Sequence, residues 1–405
     1  MKKLFLIPLC LLFIVACKNG PSPDRPDIDA YNNYPYSSLT VEQQKDKLAD
    51  ESDAILKNLK DLPNADGVKV LKSFFNLLEQ STPEMEEVLD YDKNKNIINV
   101  KDMNGEFTWN AATESWSKKA LSNKVVFNFP VNNSTSNNGK VEITGTGSGK
   151  QENVDGGKIE LPKDAKFTAF LSNKEVASIE VKATDPNIDN IAKDASVKVA
   201  LGNYVISTSA KKDTDSKVSS TFSFKSGSNV ILDAILSSTI DWEYIYEYER
   251  YMGYDYETWE SIYETVKDTT IMLDYQVAEL NIGNNLAIVG YVNVKEMNKK
   301  LDEIYEKYDN LPWNEVNREA ETKEKVAVYN ANMKMTLVSK KDKCKIATLK
   351  FICVTEIDDY DGYKYFYMEP VFVFNDKTEV SAETFFSTGF NKVIGAWMDF
   401  LESFN

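Results

Sequence analysis

Apolar positions recur along this chain with two different periods. Leu48, Ile55, Leu59 and Leu62 repeat at helical spacing up to Pro63, and Thr40 followed three residues later by Gln43 is a capping-box pattern at the start of that run. Leu71, Phe74, Phe75 and Leu78 share one face of a second predicted helix over residues 67–80, which Thr82-Pro83 ends. From about Ile97 the period falls to two. Val125, Phe127 and Phe129; Val141 and Ile143; Ala177, Ile179 and Val181; Val197, Val199 and Leu201; and Val218, Phe222 and Phe224 alternate with polar residues, and Gly, Asn, Asp or Pro bounds each run. No helical period separates one run from the next, so the sequence predicts an antiparallel meander with one apolar face.

Alternation resumes at Leu286, Ile288, Gly290, Val292 and Val294. A helix is then predicted through Met297, Leu301, Ile304, Tyr305 and Tyr308, ending near Leu311-Pro312. Strands follow at Met333, Met335 and Leu337, at Ala347, Leu349, Phe351 and Cys353, and across residues 365–374. Residues 382–404 close the chain as a helix whose apolar face carries Phe386, Phe390, Val393, Ile394, Trp397, Met398 and Leu401. The expected fold class is α+β, with antiparallel β-meander sheet or sheets covered by N-terminal and C-terminal amphipathic helices. Residues 39–236 and 271–405 form either two units of similar build or one continuous domain, joined by an aromatic and acidic connection over residues 237–270.

The first residues carry an address. Lys2 and Lys3 precede an apolar run over residues 4–15, broken by Pro8, which matches the core of a secretory signal and is too short to span a bilayer. The run ends in Ile14-Val15-Ala16-Cys17, which resembles the lipobox of bacterial lipoproteins. That resemblance implies removal of residues 1–16, attachment of diacylglycerol to Cys17, and a membrane partner engaged through acyl chains. Each buried methylene contributes about 0.8 kcal/mol, so more than one chain suffices for stable anchoring. Lys18, where an aspartate would imply retention at the inner membrane, implies the outer membrane. Residues 17–38, with Pro21, Pro23, Pro26 and Pro35, read as the lipidated cysteine and an extended linker.

Charge and composition then remove whole classes of function. The net charge is −16, and loss of Lys2 and Lys3 with the signal makes it −18, which argues against nucleic acid as a partner. Histidine is absent, which excludes Ser-His-Asp and Cys-His arrangements and His-based zinc sites. Carboxylate-only chemistry, such as a glycosidase pair, survives among 63 acidic residues, but no spacing selects a pair. Gly145-Thr146-Gly147-Ser148-Gly149 reads as a hairpin or loop rather than a phosphate cradle, and no cofactor is implied. With Cys10 in the signal and Cys17 lipidated, Cys344 and Cys353 remain; on one strand they stand about 30 Å apart and on opposite faces. Asp359, Asp361 and Gly362 match part of a calcium loop. Ile357 and Met368 occupy positions where that loop needs ligands, and an Asp-Gly turn explains the same residues.

The densest chemistry lies in residues 237–270. Trp242, Tyr246, Tyr248, Tyr254 and Trp259 interleave with Glu243, Glu247, Glu249, Asp255 and Glu257. Rings that pack inward and leave a polar edge outward explain this composition. A sugar-binding surface is the alternative, with Trp242, Tyr246, Tyr254 and Trp259 as its candidate residues. The function expected is that of a lipid-anchored envelope protein, non-enzymatic, binding a glycan, a lipid or an envelope protein. The alternatives are a carbohydrate-binding or carboxylate-dependent glycan-active protein, and a periplasmic acyl-chain binder suggested by the shape of lipoprotein-carrier folds.

Overall fold

Thr40 opens helix α1 (Val41–Leu59) with the capping box anticipated from its spacing: the Gln43 amide donates to the Thr40 hydroxyl at 3.3 Å and the Thr40 amide to the Gln43 side chain at 3.0 Å. A short 3-10 turn (Leu62–Asn64) leads into α2 (Asp66–Gln80). The structure is a computed structural model and describes residues 30–31, 33–81, 97–98, 105–121, 124–154, 157–184, 194–214, 217–241, 245–254, 261–269, 272–358 and 362–402.

Strands then follow in close succession. They are β1 (Ile97–Ile98), β2 (Gly105–Asn110), β3 (Ser115–Lys119), β4 (Val125–Phe129), β5 (Gly139–Val154), β6 (Gly157–Leu171), β7 (Lys174–Thr184), β8 (Asp194–Leu201), β9 (Tyr204–Thr214), β10 (Lys217–Ser226) and β11 (Asn229–Asp241). After β12 (Ile245–Tyr254) and β13 (Ser261–Thr269) come β14 (Met272–Ile282), β15 (Leu286–Asn293), α3 (Val294–Asp309) and α4 (Glu315–Asn332). The chain continues through β16 (Met333–Ser339), β17 (Cys344–Ile357), β18 (Lys364–Phe374), β19 (Glu379–Ser381) and α5 (Ala382–Glu402).

Among the described residues, every strand except β12 and β13 belongs to one large open sheet. From β4 to β11 each strand pairs antiparallel with the next; β11 then pairs with β14, and the order continues through β19. Among the described residues, β2 pairs parallel with β4 and β1 with β6, and Tyr36 forms an isolated parallel bridge to Lys345. The alternation read from the sequence becomes continuous rows across this sheet. Phe127, Val141, Ala169, Ala177, Leu201 and Tyr204 are successive cross-strand partners, and all are buried. Ile288, Leu337, Ala347 and Phe374 form a second row.

Two apolar clusters grow on these rows. The first joins Ile55 and Leu59 of α1, Val68, Leu71 and Phe74 of α2, and Phe400 of α5 to the β2–β11 strands. The second joins Leu48 of α1 and Phe385 of α5 to β15–β18. Partly buried Ile282 and Phe390 pack against both, so apolar packing runs through from one to the other.

Polar contacts hold α1 across one end of the strands. Lys47 pairs with Asp342 at 2.5 Å, and the Tyr204 hydroxyl donates to the Asn58 carbonyl at 2.9 Å. Buried Glu51 accepts from the Asn284 amide at 2.8 Å and from the Asn285 side chain at 2.6 Å. The turn it caps begins at Gly283, whose φ of 61° suits glycine, and a Cβ there would overlap the Glu51 carboxylate.

Strands β6, β9, β11 and β14 are not among the runs that the alternation picks out, and three further stretches depart from the sequence expectation. Residues 145–149 lie within β5 rather than in a hairpin or loop; glycines relax the backbone enough for a register shift opposite β6 while the strand continues. Residues 237–241 belong to β11, and β12 and β13 pair as a two-stranded ribbon that follows directly on the β11–β14 pair. Helix α4 has no counterpart in the predicted elements. Its buried positions include Glu321 and Thr322, and Glu321 is neutralised by Arg318 at 2.6 Å and Lys325 at 2.5 Å, so the helix lacks an apolar stripe.

Candidate functional site

Of the residues singled out in the sequence, Cys17, Trp242, Trp259, Asp359 and Asp361 lie outside the described residues. Tyr246 and Tyr254 are in β12, opposite Asp268 and Ser261 of β13. Eight residues of strand hold them about 27 Å apart, and a register shift between Tyr251 and Gly253 breaks the alternation between them. Their backbone positions stand near the two ends of that strand.

Cys344 and Cys353 both lie on β17 and are free thiols. Burial pushes each thiol up from its ordinary value, which keeps both protonated at neutral pH and poorly nucleophilic. A shallow depression of about 470 Å³ lies at the β5–β7 end, lined by Thr144, Asp164, Lys166, Glu180 and Lys182. Two of its charged groups have partners: Lys166 reaches Glu180 at 3.3 Å, and Asp164 accepts from the Thr146 hydroxyl.

The feature that does converge is an aromatic corner formed where the α3–α4 loop meets the β17–β18 turn. Trp313 is 64% exposed and stacks on Tyr363, with ring centroids 5.1 Å apart and planes 6° from parallel. Tyr363 meets Tyr365 edge-on at 5.0 Å, and the Arg318 guanidinium lies 5.8 Å from the Trp313 ring. Tyr365 and Tyr367 alternate along β18 and share one of its faces, and both are exposed. Leu311, Val316 and Ile357 are exposed at the same corner. Scattered exposed apolar residues are ordinary, whereas a concentration of them marks a binding surface.

Local hydrogen bonds fix this corner. Asn314 caps α4 by accepting from the Asn317 amide at 3.0 Å, and its own amide group donates to the Pro312 carbonyl at 3.1 Å. Asn317 donates to the same carbonyl at 2.6 Å. Glu315 bridges to the strand side by accepting from the Lys364 backbone amide at 3.3 Å. Asp358 and Gly362 close the β17–β18 turn through a 2.9 Å backbone bond, and Gly362 adopts a φ of 71°.

Sequence reasoning passed over Trp313. The available signal was local: a tryptophan between Pro312 and Asn314, in a break between helices, serves no apolar stripe. Its partner Tyr363 is about fifty residues away in the chain, so the pairing is a product of the fold. No family model, curated protein or solved structure matches this chain.

Proposed function

We propose that this chain is a lipid-anchored cell-envelope protein whose folded part is a non-enzymatic binding module. The observation that carries the reading is the N-terminal sequence, with Lys2 and Lys3, the apolar run and Ile14-Val15-Ala16-Cys17 in the order of a lipoprotein signal. Acylated Cys17 attaches the protein to the outer membrane, and the proline-bearing residues after it act as a tether. In this reading the N-terminal and C-terminal helices cover the apolar face of the sheet. The rigid body that results presents its binding groups at the sheet end and on the loops. The absence of histidine supports a binding role over the commoner hydrolytic ones.

Detergent phase partitioning of the full chain made in a Gram-negative host tests the anchor. The native protein is expected in the detergent phase, and Cys17→Ala in the aqueous phase, because only the thiol accepts diacylglycerol. Equal detergent partitioning of the two would overturn the lipoprotein reading.

A further inference from the structure

We infer that the Trp313 corner is a carbohydrate-binding platform for a neutral glycan. The indole is 64% exposed although it stacks on Tyr363, with the Arg318 guanidinium over the ring at 5.8 Å from its centroid. Tryptophan is buried to a high degree on average, so such a ring held outward is unusual. The stack on Tyr363 and the capped start of α4 keep it in place without a ligand, which lowers the ordering cost of binding. A flat, pre-ordered ring of this kind matches the C–H face of a pyranose.

The rim supplies what the sugar hydroxyls need. Glu315 uses one carboxylate oxygen on Lys364, and Asn317 uses its amide donor on Pro312, so an acceptor remains on each among the described residues. Arg318 engages Glu321 through one terminal nitrogen and lies over the indole as a multiple donor. Donors and acceptors side by side around a ring suit a polyol better than a hydrocarbon surface. Charge narrows the class further. The strongly acidic chain, with net charge −16, disfavours sulfated and uronate-rich polymers and anionic lipid, and leaves neutral glycans. Tyr365, set at 67° to Tyr363, offers a second ring one step along the corner, as an oligosaccharide rather than a single sugar would require.

This inference rests on the reading of the chain as a binding module and is independent of its anchor. The test is affinity electrophoresis of the full chain in mild detergent, through gels containing amylopectin, a mixed-linkage β-glucan, a galactomannan or an arabinoxylan. At least one polymer is expected to retard the native protein. Trp313→Ala should weaken that binding roughly tenfold or more, by analogy with bases stacked on aromatic rings. Tyr365→Ala should weaken it less, Trp313→Phe should retain part of it, and Tyr36→Ala, an exposed ring outside the corner, should leave it unchanged. Far-ultraviolet circular dichroism checks that each variant is folded. Absence of retardation by all four polymers, or equal retardation of native and Trp313→Ala protein, overturns the proposal. So does a Trp313→Ala variant that loses self-association in sedimentation velocity with no change in the gels, which would assign the corner to a second copy of the chain. Failure in the gels with normal detergent partitioning removes the platform and leaves the anchor standing.

Discussion

Trp109 and Trp313 are the same side chain in opposite circumstances. Trp109, on β2, is 6% exposed and meets Trp116 edge-on at 5.2 Å; Trp116 in turn packs edge-on against Phe127 and donates its indole hydrogen to the Ser81 carbonyl at 2.8 Å. Its neighbourhood continues into Phe107, Phe74 and Phe129, a network of rings that joins α2 to the sheet. Among the described residues Trp313 makes one stack and one cation contact, and it is 64% exposed. Burial of an aromatic side chain removes 150–250 Å² from water, at roughly 25 cal/mol per Å², so Trp109 contributes to folding on a scale that Trp313 cannot. Exposure of Trp313 has no such return in the isolated chain, which is why its corner reads as a surface for a ligand.

The largest expected effect tests the buried side of this contrast. Trp109→Ala should cost about 3–5 kcal/mol, because the ring network around it relaxes only in part. Urea unfolding followed by circular dichroism measures this, and a loss below about 1 kcal/mol would show that the two tryptophans are alike after all. Next comes the cap on the β14–β15 turn. Glu51→Ala strips the Asn284 amide and the Asn285 side chain of their acceptor inside a part-buried contact, which should cost about 1–3 kcal/mol. Asn285→Ala in the Glu51→Ala background should then cost less than it does alone, since a double-mutant cycle reports the shared contact.

The elements that could be read from the sequence are those whose burial is written locally. Phe127, Val141, Ala177 and Leu201 belong to runs that alternate in the sequence, and Leu48, Ile55 and Leu59 hold helical spacing, because each element buries a face made of its own apolar residues. Helix α4 was not legible because its inward face is a neutralised ion cluster of Glu321 with Arg318 and Lys325, which no apolar period announces. In the β12–β13 ribbon the period of two was visible in Tyr246, Glu247, Tyr248 and Glu249, yet aromatics beside carboxylates fit a packed connection as well as a strand. The Trp313–Tyr363 stack could not be read at all, since it joins a helix–helix loop to a hairpin turn through tertiary structure alone.

An acid-dependent contribution separates surface electrostatics from both tryptophans. The Lys140 ammonium, hydrogen-bonded to Glu142 at 2.8 Å, holds the Glu142 carboxyl below its ordinary value; Lys124 adds to this, and burial opposes it. A carboxyl whose value is lowered by folding stabilises the fold above its unfolded value, near pH 4.3, and that contribution disappears as the pH falls through the folded value. Lys140→Met should therefore cost at most about 1 kcal/mol at pH 7 and close to nothing at pH 2.5. A penalty that is the same at both pH values would mean that Lys140 acts through packing, as its position 4.1 Å over the Phe170 ring also allows.

The smallest expected effect falls on Trp313 itself. Trp313→Ala removes a ring that keeps most of its surface in water, so little transfer free energy is lost and no cavity opens. The stack on Tyr363 is lost, but Tyr363 also contacts Tyr365, and a surface pair of rings contributes far less than a buried one. The Arg318 guanidinium keeps its bond to Glu321 whether or not the indole is present. The change in unfolding free energy should accordingly stay within about 0.5 kcal/mol, the range of surface substitutions. Measured beside Trp109→Ala under one set of conditions, the pair isolates burial as the variable, since both substitutions delete the same atoms. A Trp313→Ala cost of about 2 kcal/mol or more would show that the corner is part of the structural core of the α3–α4 unit, and the case for a surface held open for a ligand would lose its footing.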